Sequence, residues 1–147
     1  MRNNPLILTF LLLFTISPAL LAENSTKADG YTIHHNAMTT TTLSPAIAKT
    51  YGITRSGNRG MINISLIKDK QGTMGASTQA RVEVVLKRLI GRKDKVEMRE
   101  IIEDNAIYYI GVFSVVNGEK IPFEISVTPK GSVKTLKATL TQEFYVD

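Results

Sequence analysis

Hydrophobic and polar positions alternate along most of the chain after Tyr31. Residues 61–67 are the clearest case, because Ile62, Ile64 and Leu66 alternate with polar residues. A period of two places side chains on one face of an extended chain. The pattern therefore predicts a β-strand with one buried face.

Similar runs, rich in β-branched and aromatic residues, lie between Gly, Pro and Asn turns and predict further strands. The predicted strands comprise residues 31–36, 39–42, 61–67, 80–86, 96–102, 107–116, 121–127 and 133–145. The 80–86 segment also fits helical spacing, although its three valines favour a strand. About seven strands at this spacing predict an all-β fold, an antiparallel β-sandwich, with a small barrel as the alternative.

One short helical turn is predicted near residues 45–51. Ser44 can cap a helix whose first position is Pro45, and Gly52 ends the segment. The turn would connect two strands of the sandwich.

The N-terminus predicts export. A single cation, Arg2, precedes an apolar run from Pro5 to Ile16, and the chain becomes polar after Ala22. We expect residues 1–22 to be a cleaved signal peptide and residues 23–147 to be one periplasmic domain. An uncleaved anchor is the alternative, but the run is shorter than the ~20 residues of a spanning helix. No later segment is long and apolar enough to cross a bilayer, so no stable membrane insertion is expected after signal cleavage.

Composition narrows the class of partner. The formal net charge of +5 is mildly basic, without the dense positive stripe of a nucleic-acid-binding protein. The chain has no cysteine, so its stability must come from burial rather than disulfides. We expect no nucleic acid as a partner.

The loop around Arg55 and Arg59 is the main candidate binding site. Two guanidiniums four residues apart, beside glycines, could hold a carboxylate or phosphate. Alternatively, they could bind carbonyls and carboxylates of the fold itself. The candidate binding residues are Arg55, Arg59, Asn63, Tyr51, Asn36 and His35.

Metal binding and catalysis have weaker support. His34 and His35, with scattered methionines, suggest a copper site, but adjacent strand residues point to opposite faces. We therefore predict no metal site and no cofactor. The sequence has no Gly-x-Ser-x-Gly elbow, and its acidic residues are explained more simply as the polar face and turn of a strand pair. We therefore assign no catalytic residue and do not expect the protein to be an enzyme. Those acidic residues are Glu97, Glu100, Glu103 and Asp104.

Basic residues surround the predicted turn after residue 86. They could contact anionic lipid headgroups or an acidic partner, or form a solvated hairpin end. These residues are Lys87, Arg88, Arg92, Lys93 and Lys95.

Several blocks together resemble a known family. They are His35-Asn36, Thr42-Leu43-Ser44-Pro45, Ala48, Tyr51-Gly52-Ile53-Thr54-Arg55-Ser56, Arg59-Gly60, Asn63-Ile64-Ser65, Leu89-Ile90-Gly91, Ala106 to Ile110, Phe123, Val127 and Phe144-Tyr145. The chain resembles small secreted proteobacterial proteins classed as a domain of unknown function. The resemblance implies a periplasmic, immunoglobulin-like β-sandwich and a strand at residues 80–86. It implies no activity, and His35 departs from the aromatic residue often expected at its position.

The sequence thus predicts a non-catalytic periplasmic binding or accessory module that presents a strand edge or end loops to another envelope protein. The alternative is a carrier of a copper-type metal or a small anion, through His35 or the Arg55 and Arg59 loop. A hydrolytic enzyme is the third hypothesis.

Overall fold

The computed structural model describes residues 24–146, which form ten strands and one short helix, α1 (Pro45–Thr50). Two 3-10 turns lie at Thr40–Thr42 and Leu89–Gly91. The strands are β1 (Ser25–Ala28), β2 (Tyr31–Thr39), β3 (Arg59–Lys68), β4 (Ala76–Ser77), β5 (Ala80–Lys87), β6 (Lys93–Val96), β7 (Met98–Glu103), β8 (Ala106–Ser114), β9 (Glu119–Pro129) and β10 (Leu136–Phe144). Among these residues, no helix is long and apolar enough to cross a membrane. The predicted signal peptide lies outside the described residues.

The strands form two antiparallel sheets. The first sheet has the order β1-β2-β3-β8-β7, with β4 also paired to β3, and the second has the order β10-β9-β5-β6. Without β1 and β4, these orders match the A-B-E-D and G-F-C-C′ sheets of immunoglobulin domains. The predicted immunoglobulin-like sandwich is confirmed, including the strand at residues 80–86.

The core lies between the two sheets. Ile62, Ile64 and Leu66 of β3 are fully buried there, as their alternation predicts. Phe113 and Phe123 meet edge to face, with ring centroids 5.4 Å apart, and Phe144 of β10 completes an aromatic cluster. Burial of these side chains is the main stabilising contribution to the sandwich.

The predicted strand 96–102 contains residues of two strands in different sheets: Val96 ends β6, whose residues 93–95 were expected in the connecting turn, and residues 98–102 belong to β7. β6 pairs with β5 in the second sheet, whereas β7 pairs with β8 in the first sheet. The chain crosses between the sheets at Glu97, between Val96 and Met98. Val96 and Met98 both pack against the core, so the alternation of side chains continues through the crossing. The sequence therefore shows no sign of the change of sheet.

The predicted strand 39–42 is wrong beyond Thr39, because the chain turns into a 3-10 turn. The buried Thr40 hydroxyl accepts a hydrogen bond from the Ser56 amide at 2.9 Å and donates to the Thr54 carbonyl at 3.0 Å. These bonds replace a strand ladder and connect the turn to the 54–56 loop. The short polar strands β1 and β4 were also not predicted, since neither has a clear hydrophobic alternation.

The predicted helical turn is confirmed within one residue. The Ser44 Oγ accepts a hydrogen bond from the Ile47 amide at 3.2 Å, and Pro45 occupies the first helical position. α1 begins where the cap predicts, which directs the following segment across the first sheet.

Candidate functional site

A second apolar cluster lies on the outer face of the first sheet. Because β3 alternates, Met61 faces away from the core and packs with Ile110 of β8. Ile53, from the segment that follows α1, is buried against both residues. The segment from residue 43 to residue 53 thus covers part of the outer face, and a hollow remains on each side of it.

The first hollow, which we call the α1 groove, has a volume of about 310 Å³. The hydroxyl group of Tyr51 donates a hydrogen bond to Glu103 at its border, and this bond raises the pKa of Tyr51. The groove is mainly apolar and is lined by Met38, Leu43, Ile47, Tyr51, Met61, Asn63, Glu103, Tyr108 and Ile110.

Asn63 places an unusual polar group in the wall of the α1 groove. Its Oδ1 is buried and accepts no hydrogen bond from any residue that the structure describes. An unsatisfied buried acceptor of this kind costs about 1–3 kcal/mol. Asn36 is the register partner of Asn63 on β2, but it is exposed and does not line the groove.

The second hollow, which we call the arginine hollow, has a volume of about 300 Å³. Nη2 of Arg99 donates a hydrogen bond to the Tyr51 carbonyl at 2.7 Å, which fastens the 51–54 segment to β7. Among residues 24–146, Arg59 has no hydrogen bond or ion pair through its side chain. The hollow is lined by Gly52, Ile53, Thr54, Arg59, Glu97, Arg99, Ile110 and Val112.

Arg55 and Arg59 do not share a site. Arg55 lines neither hollow, and its Nη2 donates a hydrogen bond to the Thr41 carbonyl at 3.0 Å. Arg55 therefore holds the loop against the rest of the fold. This is the alternative stated above for both arginines, that they bind carbonyl groups of the protein itself. Arg59 instead lines the arginine hollow with Arg99, and the sequence does not predict this because it depends on the order β3-β8-β7 in the first sheet.

His35 lies apart from the other candidates. Its side chain faces the interior with Ile33 and Ala37 of the same strand, and only 6 % of the residue is exposed. Nε2 is 3.0 Å from the Thr26 hydroxyl. Burial lowers the pKa of His35. Within the described part of the chain, no group of three or more His, Cys, Asp or Glu residues could hold a metal ion.

Replacing His35 by Phe should make stability less dependent on pH. Because the folded-state pKa of His35 is lowered below its usual 6.5, the unfolded state binds more protons as pH falls. The stabilising contribution of the neutral imidazole is complete above about pH 6.5 and is lost as pH falls below that value. Urea denaturation between pH 7.5 and 5.5, on the order of one pH unit either side of that value, should show a smaller loss for His35→Phe than for the parent. Parallel curves would contradict this expectation.

The carboxylates considered for hydrolysis do not form one site. Glu97 lines the arginine hollow and Glu103 lines the α1 groove. Glu100 accepts a hydrogen bond from the Tyr109 hydroxyl at 2.8 Å, and burial raises the pKa of Tyr109 to about 12. These groups are distributed over separate parts of the first sheet.

A larger hollow of about 530 Å³ lies between the start of β5 and the turn after β9. Gln79, Glu100 and Lys130 in its lining are bound to one another. Gln79 donates to Glu100 at 3.0 Å and accepts a hydrogen bond from Lys130 at 3.0 Å. The α1 groove, whose wall includes an amide oxygen with no partner in the described part of the chain, is the stronger candidate site.

The fold and the two hollows define an immunoglobulin-like domain in which the segment 43–53 covers part of one outer sheet face and leaves a groove beside it. The chain belongs to the DUF4426 family, a domain of unknown function, whose model matches residues 25–147. Solved structures that match include a DUF4426 family protein from Pseudomonas aeruginosa PAO1, at 26 % sequence identity and a TM-score of 0.71. The match covers 87 % of this chain and 98 % of that chain. No curated protein matches the chain.

Proposed function

We propose that this protein is a non-catalytic binding module of the periplasm, and that its α1 groove holds a segment of another envelope protein. The observation that carries the proposal is the buried Oδ1 of Asn63, which lacks a donor among the described residues and belongs to the wall of an apolar groove. A partner that inserts an apolar side chain and donates an N–H group to the Asn63 amide would satisfy that oxygen once the amide turns toward the groove.

The surroundings of the groove support a protein partner. Ile47 on α1 is 46 % exposed and lines the groove, so an apolar contact is available to an incoming segment. Tyr108 and Tyr51 also line it, and aromatic residues are enriched at protein interfaces. Dispersed carboxylates and the absence of an elbow motif favour binding over catalysis. The apolar N-terminal run supports export to the periplasm.

Photocrosslinking in living cells tests the proposal. A photoreactive phenylalanine at Ile47 should form an adduct with one envelope protein, identifiable by mass spectrometry. Thr139 is the matched control, because it is an exposed position on β10 in the other sheet. Failure of Ile47 to form an adduct, or the same adduct from Thr139, would contradict the proposal.

The arginine hollow favours a second candidate function, binding of a small anion. Arg59 has no side-chain partner among the described residues and lines the hollow with Arg99, whose Nη2 is bound to the Tyr51 carbonyl; the free Arg59 guanidinium, with the remaining donors of Arg99, is available to a carboxylate or phosphate. Native mass spectrometry of protein recovered from the periplasm should reveal such an anion as bound mass. Recovery of the protein without added mass, in the parent and in Arg59→Gln alike, would exclude this candidate.

A further inference from the structure

We propose that the turn between β5 and β6 docks the protein on an anionic membrane surface, with Leu89 and Ile90 entering the lipid interface. The proposal goes beyond the α1 groove and uses a different part of the molecule. We call this turn, together with the first residue of β6, the lipid tip; it comprises residues 88–93.

The apolar side chains of the lipid tip are exposed. Leu89 is 84 % exposed and Ile90 is fully exposed. A single exposed aliphatic residue is ordinary on a protein surface. Two adjacent aliphatic residues at the end of a turn form a small exposed apolar patch. Val116 and Tyr145 are each 64 % exposed and belong to the same end of the sandwich.

Hydrogen bonds bring these segments together. Nη2 of Arg88 donates to the Ser114 carbonyl at 2.7 Å, and the same guanidinium forms an ion pair with Glu119. The Gly118 amide donates to the Phe144 carbonyl at 2.8 Å. The lipid tip, the turn between β8 and β9, and the end of β10 therefore lie side by side.

The backbone at Ile90 indicates a role outside the fold. Its φ angle is +73°, in the left-handed region that a β-branched residue rarely adopts and that Gly or Asn adopts more readily. Since the side chain is fully exposed, packing within the described domain does not explain an isoleucine here. Backbone strain of this kind is often found at functional sites.

The lipid tip itself carries three basic side chains, Arg88, Arg92 and Lys93, and no acidic one. Lys93 and Lys120 are exposed and form no ion pair with residues 24–146. Of the acidic groups nearby, Asp94 and Glu119 are bound by arginines and Glu124 by Lys87, while Glu143 is the register partner of Lys120. Basic side chains beside an apolar patch are suited to anionic headgroups with acyl chains beneath them.

The shape of the lipid tip favours a lipid surface over a protein partner. The exposed aliphatic residues lie on a convex turn, so a protein would need a matching apolar pit. The interface of a bilayer accommodates a small protruding apolar group without a preformed site. Two aliphatic side chains and a few charges predict weak, reversible binding.

Vesicle sedimentation tests the proposal, with protein recovered from exporting cells. The N-terminus of this protein is determined first, because the apolar run from residue 5 to residue 16 would itself bind lipid. Vesicles of phosphatidylethanolamine and phosphatidylglycerol are compared with vesicles of phosphatidylcholine alone. The test variant is Leu89→Ser with Ile90→Asn. The matched control is Met74→Ser with Val133→Ser, since both residues are almost completely exposed in turns at the opposite end.

We expect the parent to bind the anionic vesicles preferentially. The test variant should bind at least about tenfold more weakly, because two aliphatic contacts are lost. Lys93→Gln should weaken binding about fivefold. The control should change binding by less than about twofold, as for a surface substitution away from the interface.

A stability measurement separates function from folding. Ile90→Asn should raise the denaturation midpoint, because asparagine tolerates the left-handed backbone, while the same substitution weakens vesicle binding. The proposal is overturned if the parent shows no preference for anionic vesicles. It is also overturned if the test variant binds like the parent, or if the control variant loses as much binding as the test variant.

Discussion

Replacement of Phe123 by alanine should lower the free energy of unfolding by about 3–5 kcal/mol. Only 1 % of Phe123 is exposed, and its ring meets those of Phe113 and Phe144 between the two sheets. The substitution removes the ring and leaves a cavity that rigid strands on both sides cannot close. Because a domain of this size has about 5–15 kcal/mol of stability, the loss is a large fraction of the total.

Tyr145→Ala is the matched control for Phe123→Ala. It also removes an aromatic ring, but this ring is 64 % exposed, so the change should be within about 0.5 kcal/mol. Urea denaturation followed by circular dichroism measures both variants. Equal effects of the two substitutions would mean that the aromatic cluster is not in the core.

Gly111→Ala should destabilise the protein by about 1–3 kcal/mol through overpacking. A Cβ atom at Gly111 of β8 would overlap Cγ1 of Val96 and lie 2.6 Å from Sδ of Met98. These two residues flank Glu97, where the chain crosses from one sheet to the other, and the Glu97 carbonyl would be 3.1 Å away. The crossing would have to move away from β8.

A double-mutant cycle tests the cause of this destabilisation. If the clash with Val96 is responsible, Gly111→Ala should cost less free energy of unfolding in a Val96→Ala background than in the parent. Thermal or urea denaturation of the four proteins gives the coupling energy. Additive effects would show that the missing side chain at Gly111 does not make room for the crossing.

The sequence predicted the elements that local chemistry determines. Alternation identified β3, and the Ser44-Pro45 pair identified the start of α1 within one residue. It did not reveal the crossing at Glu97, because side chains on both sides of that residue continue to face the core. A change of sheet depends on which strand supplies the hydrogen bonds, and that information is not local.

The candidate site was predicted only in part, for the same reason. Tyr51 and Asn63 do line one groove, and Arg59 lines the neighbouring hollow. Arg99 was missed, since its position beside Arg59 depends on the pairing of β7 with β8 and of β8 with β3. His35 is buried in the core and Asn36 lies on the opposite face of β2. Alternation along the strand is sufficient to predict that these two candidates do not share a site.

The two asparagines of one cross-strand pair allow a direct test of the groove. Asn63 lines the groove and its buried oxygen has no donor among residues 24–146, whereas its neighbour Asn36 is exposed outside the groove. Asn63→Ala removes an unsatisfied polar group, so the protein should be no less stable than the parent. A partner that donates a hydrogen bond to this amide would nevertheless be lost.

The deciding measurement is therefore the yield of the adduct from a photoreactive residue at position 47 in these two backgrounds. We expect Asn63→Ala to remove most of the adduct, about fivefold or more for one lost hydrogen bond, and Asn36→Ala to retain it. Equal yields in both backgrounds, with both proteins folded, would contradict the assignment of the α1 groove as a binding site.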